Sequence, residues 1–135
     1  MDLAASIQDR LRGLFPDLLG IELTEVAPER VAARLTVRDE LCTTGKALHG
    51  GAIMAFADTL GAVGTFVNLP QGARTTTIES KTNFLGAVHS GTVIATATPL
   101  HAGGTTIVVE TSVRDAAGRL VAKVTQTQMV LRPRN

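Results

Sequence analysis

The residues best suited to chemistry lie in one stretch, ALHGGAIMAFADTLGAVGTFVNL, from Ala47 to Leu69. Between Lys46 and Arg74 the only formal charge is Asp58, set in an otherwise apolar run. An ionised carboxylate in apolar surroundings is costly unless it has a partner, water or a task. In one reading Asp58 is a structural acid, paired with a strand hydroxyl or Lys81, or facing water. In the other it faces a cleft and works as general base or nucleophile, since an aspartate is ionised at neutral pH and can take a proton from water. Ahead of it, His49-Gly50-Gly51 stands where the chain would enter a helix. The first amides of a helix are unsatisfied and carry the positive end of its dipole, and glycine lets a ligand reach them. Such a donor suits a developing oxyanion. The plainer alternative is a tight turn at Gly50 and Gly51, capped by His49.

The elements that must position these groups can be read from periodicity. At 100° per residue, Ile53, Phe56, Leu60, Val63 and Val67 fall within about 80° of one another, a bulky stripe for a core. Asp58 lies roughly opposite, on a stripe of mostly small residues: Gly51, Met54, Ala55, Gly61, Ala62 and Thr65. Gly50 and Asp58 are eight residues apart, hence about 12 Å along the axis. One carbonyl cannot touch both. If they act on one bond, they come from two copies whose helices run antiparallel across a two-fold axis, with the small-residue stripe facing partner and substrate.

Around this helix the chain reads as strands. Val31, Ala33, Leu35 and Val37 alternate with Ala32, Arg34, Thr36 and Arg38, the period of a half-buried strand, and VAPER is a turn joining it to the preceding run as a hairpin. After the helix come RTTTIESKTNFL, GTVIATATPL, TTIVVETSVRD and RLVAKVTQTQMVL, rich in Thr, Val and Ile. Short connectors between these four favour antiparallel neighbours. Leu3, Ile7, Leu11 and Leu14 space out one face of an N-terminal helix before a break at Pro16. The expectation is an α+β domain spanning residues 1–135: a six-stranded, mainly antiparallel sheet curled around one long apolar helix, with a short N-terminal helix.

Composition narrows the function classes. The 135 residues are 44% hydrophobic and 19% charged, with four Phe, no Trp or Tyr and a net charge of +1. Dispersed charge without stacking rings argues against nucleic-acid binding. The lone Cys42 excludes an internal disulfide, and no Cys and His run has zinc spacing, so no metal is expected. The N-terminus lacks a signal-peptide layout, which with the single cysteine points to the cytoplasm. Asp58, Asn68 and Pro70 argue against a membrane span over residues 47–69.

LHGGAIMAFADTLGAVGTF followed by TTTIESKTNFL resembles the hot-dog-fold acyl-CoA thioesterases, in particular the PaaI-like, phenylacetate-degradation branch related to 4-hydroxybenzoyl-CoA thioesterase. The resemblance covers nearly the whole chain and implies hydrolysis of acyl-CoA or aryl-CoA to free acid and coenzyme A, without a cofactor beyond the coenzyme A of the substrate. It implies that Asp58 activates the water or attacks the carbonyl, and that the Gly50 N–H polarises that carbonyl. It further implies that His49 supports the loop and that Thr77 helps hold the water, with Thr76 as the neighbouring alternative. Homodimers sharing sites between subunits, paired into tetramers, are implied too. Two positions depart from the family pattern. Thr43 stands where relatives carry an Asn or Gln that orients acid or water, and Gly103 and Gly104 stand where relatives often carry basic residues for coenzyme A phosphates. Phosphate contacts would then fall to Arg74, Lys81, Arg114 or His101, or to glycine amides. The acyl group is expected beside Gly51, Met54 and Gly61. The rival expectation is a hot-dog module that binds acyl-CoA without turnover; a hydratase is disfavoured because no Asp and His hydratase pair is recognisable.

Overall fold

A computed structural model of the chain describes residues 2–134. Helix α1 (Leu3–Arg10) starts at Asp2, whose carboxylate accepts from the Ala5 N–H at 2.7 Å. This is the usual way a short acid satisfies an orphan helix amide. Pro16 does more than break α1. It sits in the first turn of a second helix, α2 (Phe15–Leu19), where its missing N–H costs nothing. The expected apolar face is only partly covered: Ile7 is buried and Leu11 half-buried, whereas Leu3 and Leu14 stay exposed.

Six strands form one sheet: β1 (Glu22–Ala27), β2 (Arg30–Thr36), β3 (Arg74–Phe84), β4 (Thr92–Ala102), β5 (Thr106–Arg114) and β6 (Leu120–Leu131). Their order is β1-β2-β4-β5-β6-β3, with every neighbouring pair antiparallel. The long helix α3 (Gly50–Phe66) packs on the inner face. Its bulky stripe behaves as its spacing dictates, with Ile53, Phe56, Leu60 and Val63 buried in one cluster with Leu35, Val93, Val113 and Val121. No helix is long and apolar enough to cross a membrane among the described residues.

One expectation fails. The turns after β4 and β5 join neighbours, but β3 does not pair with β4; it lies against β6 at the far edge. A short connector requires only that strand ends be close, and in a sheet curled around a helix the end of edge strand β3 can approach the start of β4 across β5 and β6. Residues 85–91 make that crossing past the start of α3, where the Val88 carbonyl accepts from the Leu48 N–H at 2.8 Å and the Val88 side chain is buried. Strand β3 is thus a long edge strand, and most of its residues are exposed. Its pairing with β6 slips between Thr77 and Glu79, leaving Ile78 as the extra residue of a bulge, 54% exposed. Bulges re-aim side chains and are common beside functional sites.

Candidate active site

The start of α3 is built by three consecutive residues. His49 is the N-cap, and its Nδ1 accepts from the Gly51 N–H at 2.7 Å. A Cβ on Gly51 would lie 2.9 Å from that nitrogen, so the histidine cap requires a glycine there. A Cβ on Gly50 would meet the Phe84 ring at 3.1 Å. Among the described residues no acceptor is paired with the Gly50 N–H. It is a free donor at the positive end of a 17-residue helix. A cavity of about 200 Å³ opens at this end of α3, lined by His49, Gly51 and Ala52 of the helix start, Glu40, Leu41 and Cys42 of the loop before it, and Phe15 and Leu19.

Two turns along α3, half-buried Asp58 turns away from the bulky stripe and meets β3 and β6. Thr77 Oγ1 donates to Asp58 Oδ1 at 2.9 Å, and Gln126 Nε2 donates to the same oxygen at 3.1 Å. Oδ2 accepts nothing from the described residues. Behind this pair, Gln128 Nε2 donates to Thr77 Oγ1 at 2.6 Å. Thr75 Oγ1, with one proton to share, lies 3.0 Å from Gln128 Oε1 and 2.9 Å from the Met129 carbonyl. Of the partners open to Asp58 in the sequence, the strand hydroxyl is the one realised. Lys81 donates to Asn83 Oδ1 instead, at 2.7 Å.

The Asp58 carboxyl also borders a groove of about 380 Å³ between α3 and the N-terminal helices. Its walls are mostly apolar, with Ile7 and Leu11 on one side and Ala62, Val63 and Phe66 on the other. Arg10 also lines it, with its guanidinium carbon 5.1 Å from the centre of the Phe66 ring. A carboxylate with one free oxygen beside an apolar groove can activate water, or attack a carbonyl, next to a bound hydrophobic group.

The other residues named from the sequence are scattered more widely. Of Thr76 and Thr77, Thr77 is the one whose hydroxyl reaches Asp58. Thr43 is exposed in the loop before α3; its N–H donates to the Ala47 carbonyl, and its hydroxyl bonds no described residue. Met54 is 40% exposed on the open side of α3. Gly61 is not open to the groove. It is buried, and the Gln126 amide fills the space where its side chain would be, 2.2 Å from an ideal Cβ. Arg74 is exposed at the start of β3, without an ion pair among the described residues. No cluster of three or more His, Cys, Asp or Glu side chains could hold a metal among the described residues.

Gln126 and Gln128 are the participants that the sequence reading passed over. The signal was available: in VTQTQMV both glutamines share the alternation phase of Val124 and Val130, which face the core. Polar residues at core positions ask for partners.

A family model described as the thioesterase superfamily matches residues 45–122, the segment holding the helix, both glycines, Asp58 and Thr77. The chain belongs to the thioesterase superfamily. Among curated relatives, "Putative esterase Rv1847" of Mycobacterium tuberculosis is 30% identical over 112 residues, covering 81% of this chain and 80% of that protein. Its structure superimposes with a TM-score of 0.86 at 29% identity, over 90% of this chain and 98% of that one. VC_A0580 of Vibrio cholerae is 34% identical over 116 residues, 86% of this chain and 77% of the relative. The structure of thioesterase HI1161 from Haemophilus influenzae reaches a TM-score of 0.93 over 98% of this chain and 92% of that one, and at 24% identity it speaks for the fold. The architecture is the hot-dog fold, and this membership supports thioester hydrolysis in general.

Proposed function

We propose that this superfamily member hydrolyses acyl-CoA or aryl-CoA thioesters to free acid and coenzyme A. The observation that carries the proposal is the asymmetry of Asp58. Oδ1 is held by two donors, Oδ2 accepts nothing from the described residues, and Asp58 lines an apolar groove. In the general-base form, Oδ2 takes a proton from water as the water oxygen attacks the thioester carbon, and the C–S bond then breaks to release the thiol. In the nucleophilic form, Oδ2 attacks the thioester carbon, the C–S bond breaks to expel the thiolate, which takes a proton from solvent, and water then cleaves the resulting anhydride to the free acid and the Asp58 carboxylate. The oxyanion that develops in either form needs a donor, and the free Gly50 N–H suits it.

That donor would come from a second copy. The helix rise separates Gly50 from Asp58 by about 12 Å, so each site would take its acid from one protomer and its amide from the other. The long exposed edge of β3, with Ile78 in its bulge and Met54 nearby on α3, supports such a two-fold partner, since bare edges of this kind are normally covered. No cofactor takes part beyond the coenzyme A of the substrate.

The test is thiol release from short, medium, long and aromatic acyl-CoAs by the wild type and Asp58→Asn. The amide is nearly isosteric but can neither accept the proton nor attack, so kcat should fall at least ~100-fold, the scale of a lost general base, with little change in Tm. Retained activity in Asp58→Asn would refute the assignment. Saturable binding by the wild type without turnover of any substrate would favour a non-catalytic acyl-CoA module.

A further inference from the structure

We infer that Gln126 and Gln128 are positioning residues, a pair of buried carboxamides on β6 that fix Asp58 Oδ1 so that Oδ2 is the working oxygen. The inference rests on the assignment of Asp58 above and concerns how the carboxylate is held. Gln126 is 0% exposed and Gln128 1% exposed. Both occupy positions where the strand alternation would place valine-like side chains, so a requirement other than core packing keeps them polar.

The direction of each hydrogen bond follows from donor accounting. An ionised carboxylate only accepts, so the Gln126 amide must turn its Nε2 towards Asp58. That choice leaves Gln126 Oε1 buried without a partner. A buried acceptor left unpaired is a cost to folding, and the bond at the other end of the amide is what offsets it. The Thr77 hydroxyl is oriented by the same reasoning. It accepts from Gln128 Nε2, so its single proton is directed to Asp58. Gln128 cannot reverse against an ionised Asp58, because the single Thr77 proton goes to the carboxylate and a Gln128 oxygen turned towards Thr77 would find no donor. Gln128 and Thr77 therefore form a one-way relay onto Oδ1, which Gln126 reaches directly from the other side. Both donors would persist whether or not substrate is bound, since each comes from the sheet.

The test is Gln126→Met, which keeps the length and apolar packing of the side chain but removes the donor, with Gln126→Leu as a second variant should the first not fold. Kinetics use the acyl-CoA turned over fastest by the wild type. The expected result is a roughly tenfold or greater fall in kcat, the scale of one hydrogen bond to a charged group. KM should stay within about twofold, because the amide does not bind substrate. Tm should be unchanged or raised, because the unpaired Oε1 is removed along with the donor. A glutamine retained only for structure would give the reverse, a lowered Tm with kcat intact, and that outcome overturns the inference. Gln128→Met should lower kcat in the same sense through Thr77. In an Asp58→Asn background neither change should lower the residual rate further; an equal fall there would also overturn it. Inactive Asp58→Asn with fully active Gln126→Met refutes the positioning role alone, whereas active Asp58→Asn refutes the assignment beneath it.

Discussion

Replacing Gly61 with alanine should destabilise the protein, against the usual preference of helices. In a helix interior alanine is favoured over glycine by about 1 kcal/mol. Here the new Cβ would lie 2.2 Å from Gln126 Cδ and 2.3 Å from both Nε2 and Oε1. To reach ordinary van der Waals contact the amide must retreat by roughly 1 Å or more. A side chain at the surface would swing aside, but Gln126 is fully buried. Retreat also stretches its 3.1 Å bond to Asp58 beyond hydrogen-bonding range. Overpacking costs about 1–3 kcal/mol and the lost bond to a charged group about 1.5–3 kcal/mol, so after the helix preference is credited the net loss is about 1.5–5 kcal/mol. At this chain length that corresponds to a fall in Tm of roughly 6–20 °C. Differential scanning calorimetry measures it directly. Adding Gly61→Ala to a Gln126→Ala background, where the obstructing amide is gone, should cost nothing, giving a coupling of about 1.5 kcal/mol or more. A Gly61→Ala protein as stable as wild type would refute the close packing on which this prediction depends.

Two other outcomes can be measured independently. Ala62→Phe narrows the groove below Asp58, so it should lower kcat/KM for long acyl-CoAs while sparing short ones, by roughly fourfold for each methylene excluded; an unchanged chain-length profile would place the acyl group elsewhere. In the turn between β5 and β6, the backbone N–H of Arg119 is the main group holding the Asp115 carboxyl below the usual carboxylate range, with burial opposing it and the Arg119 side chain and the Ala117 N–H adding to the effect. The turn's extra stability is therefore complete above the ordinary aspartate pKa of about 3.9 and is lost only as pH falls through the lower folded-state value. Amide exchange at Ala117 and Arg119 should stay slow down to that range, and loosening at higher pH would contradict it.

Much of the architecture was legible because it depends on local period. The buried face of α3 follows from the spacing of Ile53, Phe56, Leu60 and Val63, and the half-buried strands follow from alternation. Asp58 stood out because a lone charge in an apolar helix is anomalous. What escaped the sequence reading depends on which distant segments meet. Nothing local says that β3 pairs with β6, because a seven-residue connector to β4 is compatible with either partner once the sheet curls. The partners of Asp58 were hidden for the same reason, since Gln126 is 68 residues away. Gly61 was misplaced because a small residue reads equally as room for a ligand or as room for a neighbour's side chain, and here the neighbour takes it.

The cap at the start of α3 also decides which groups can take a proton. Because His49 Nδ1 accepts the Gly51 N–H, its in-plane lone pair is engaged, and the neutral ring must carry its hydrogen on Nε2. A neutral imidazole has only one basic nitrogen, and this one is already used. His49 can offer a hydrogen bond to a thioester, but it could not deprotonate water without surrendering the cap that shapes the glycine loop. Of the two side chains in the motif that could have served as base, the fold leaves Asp58 with lone pairs to spare.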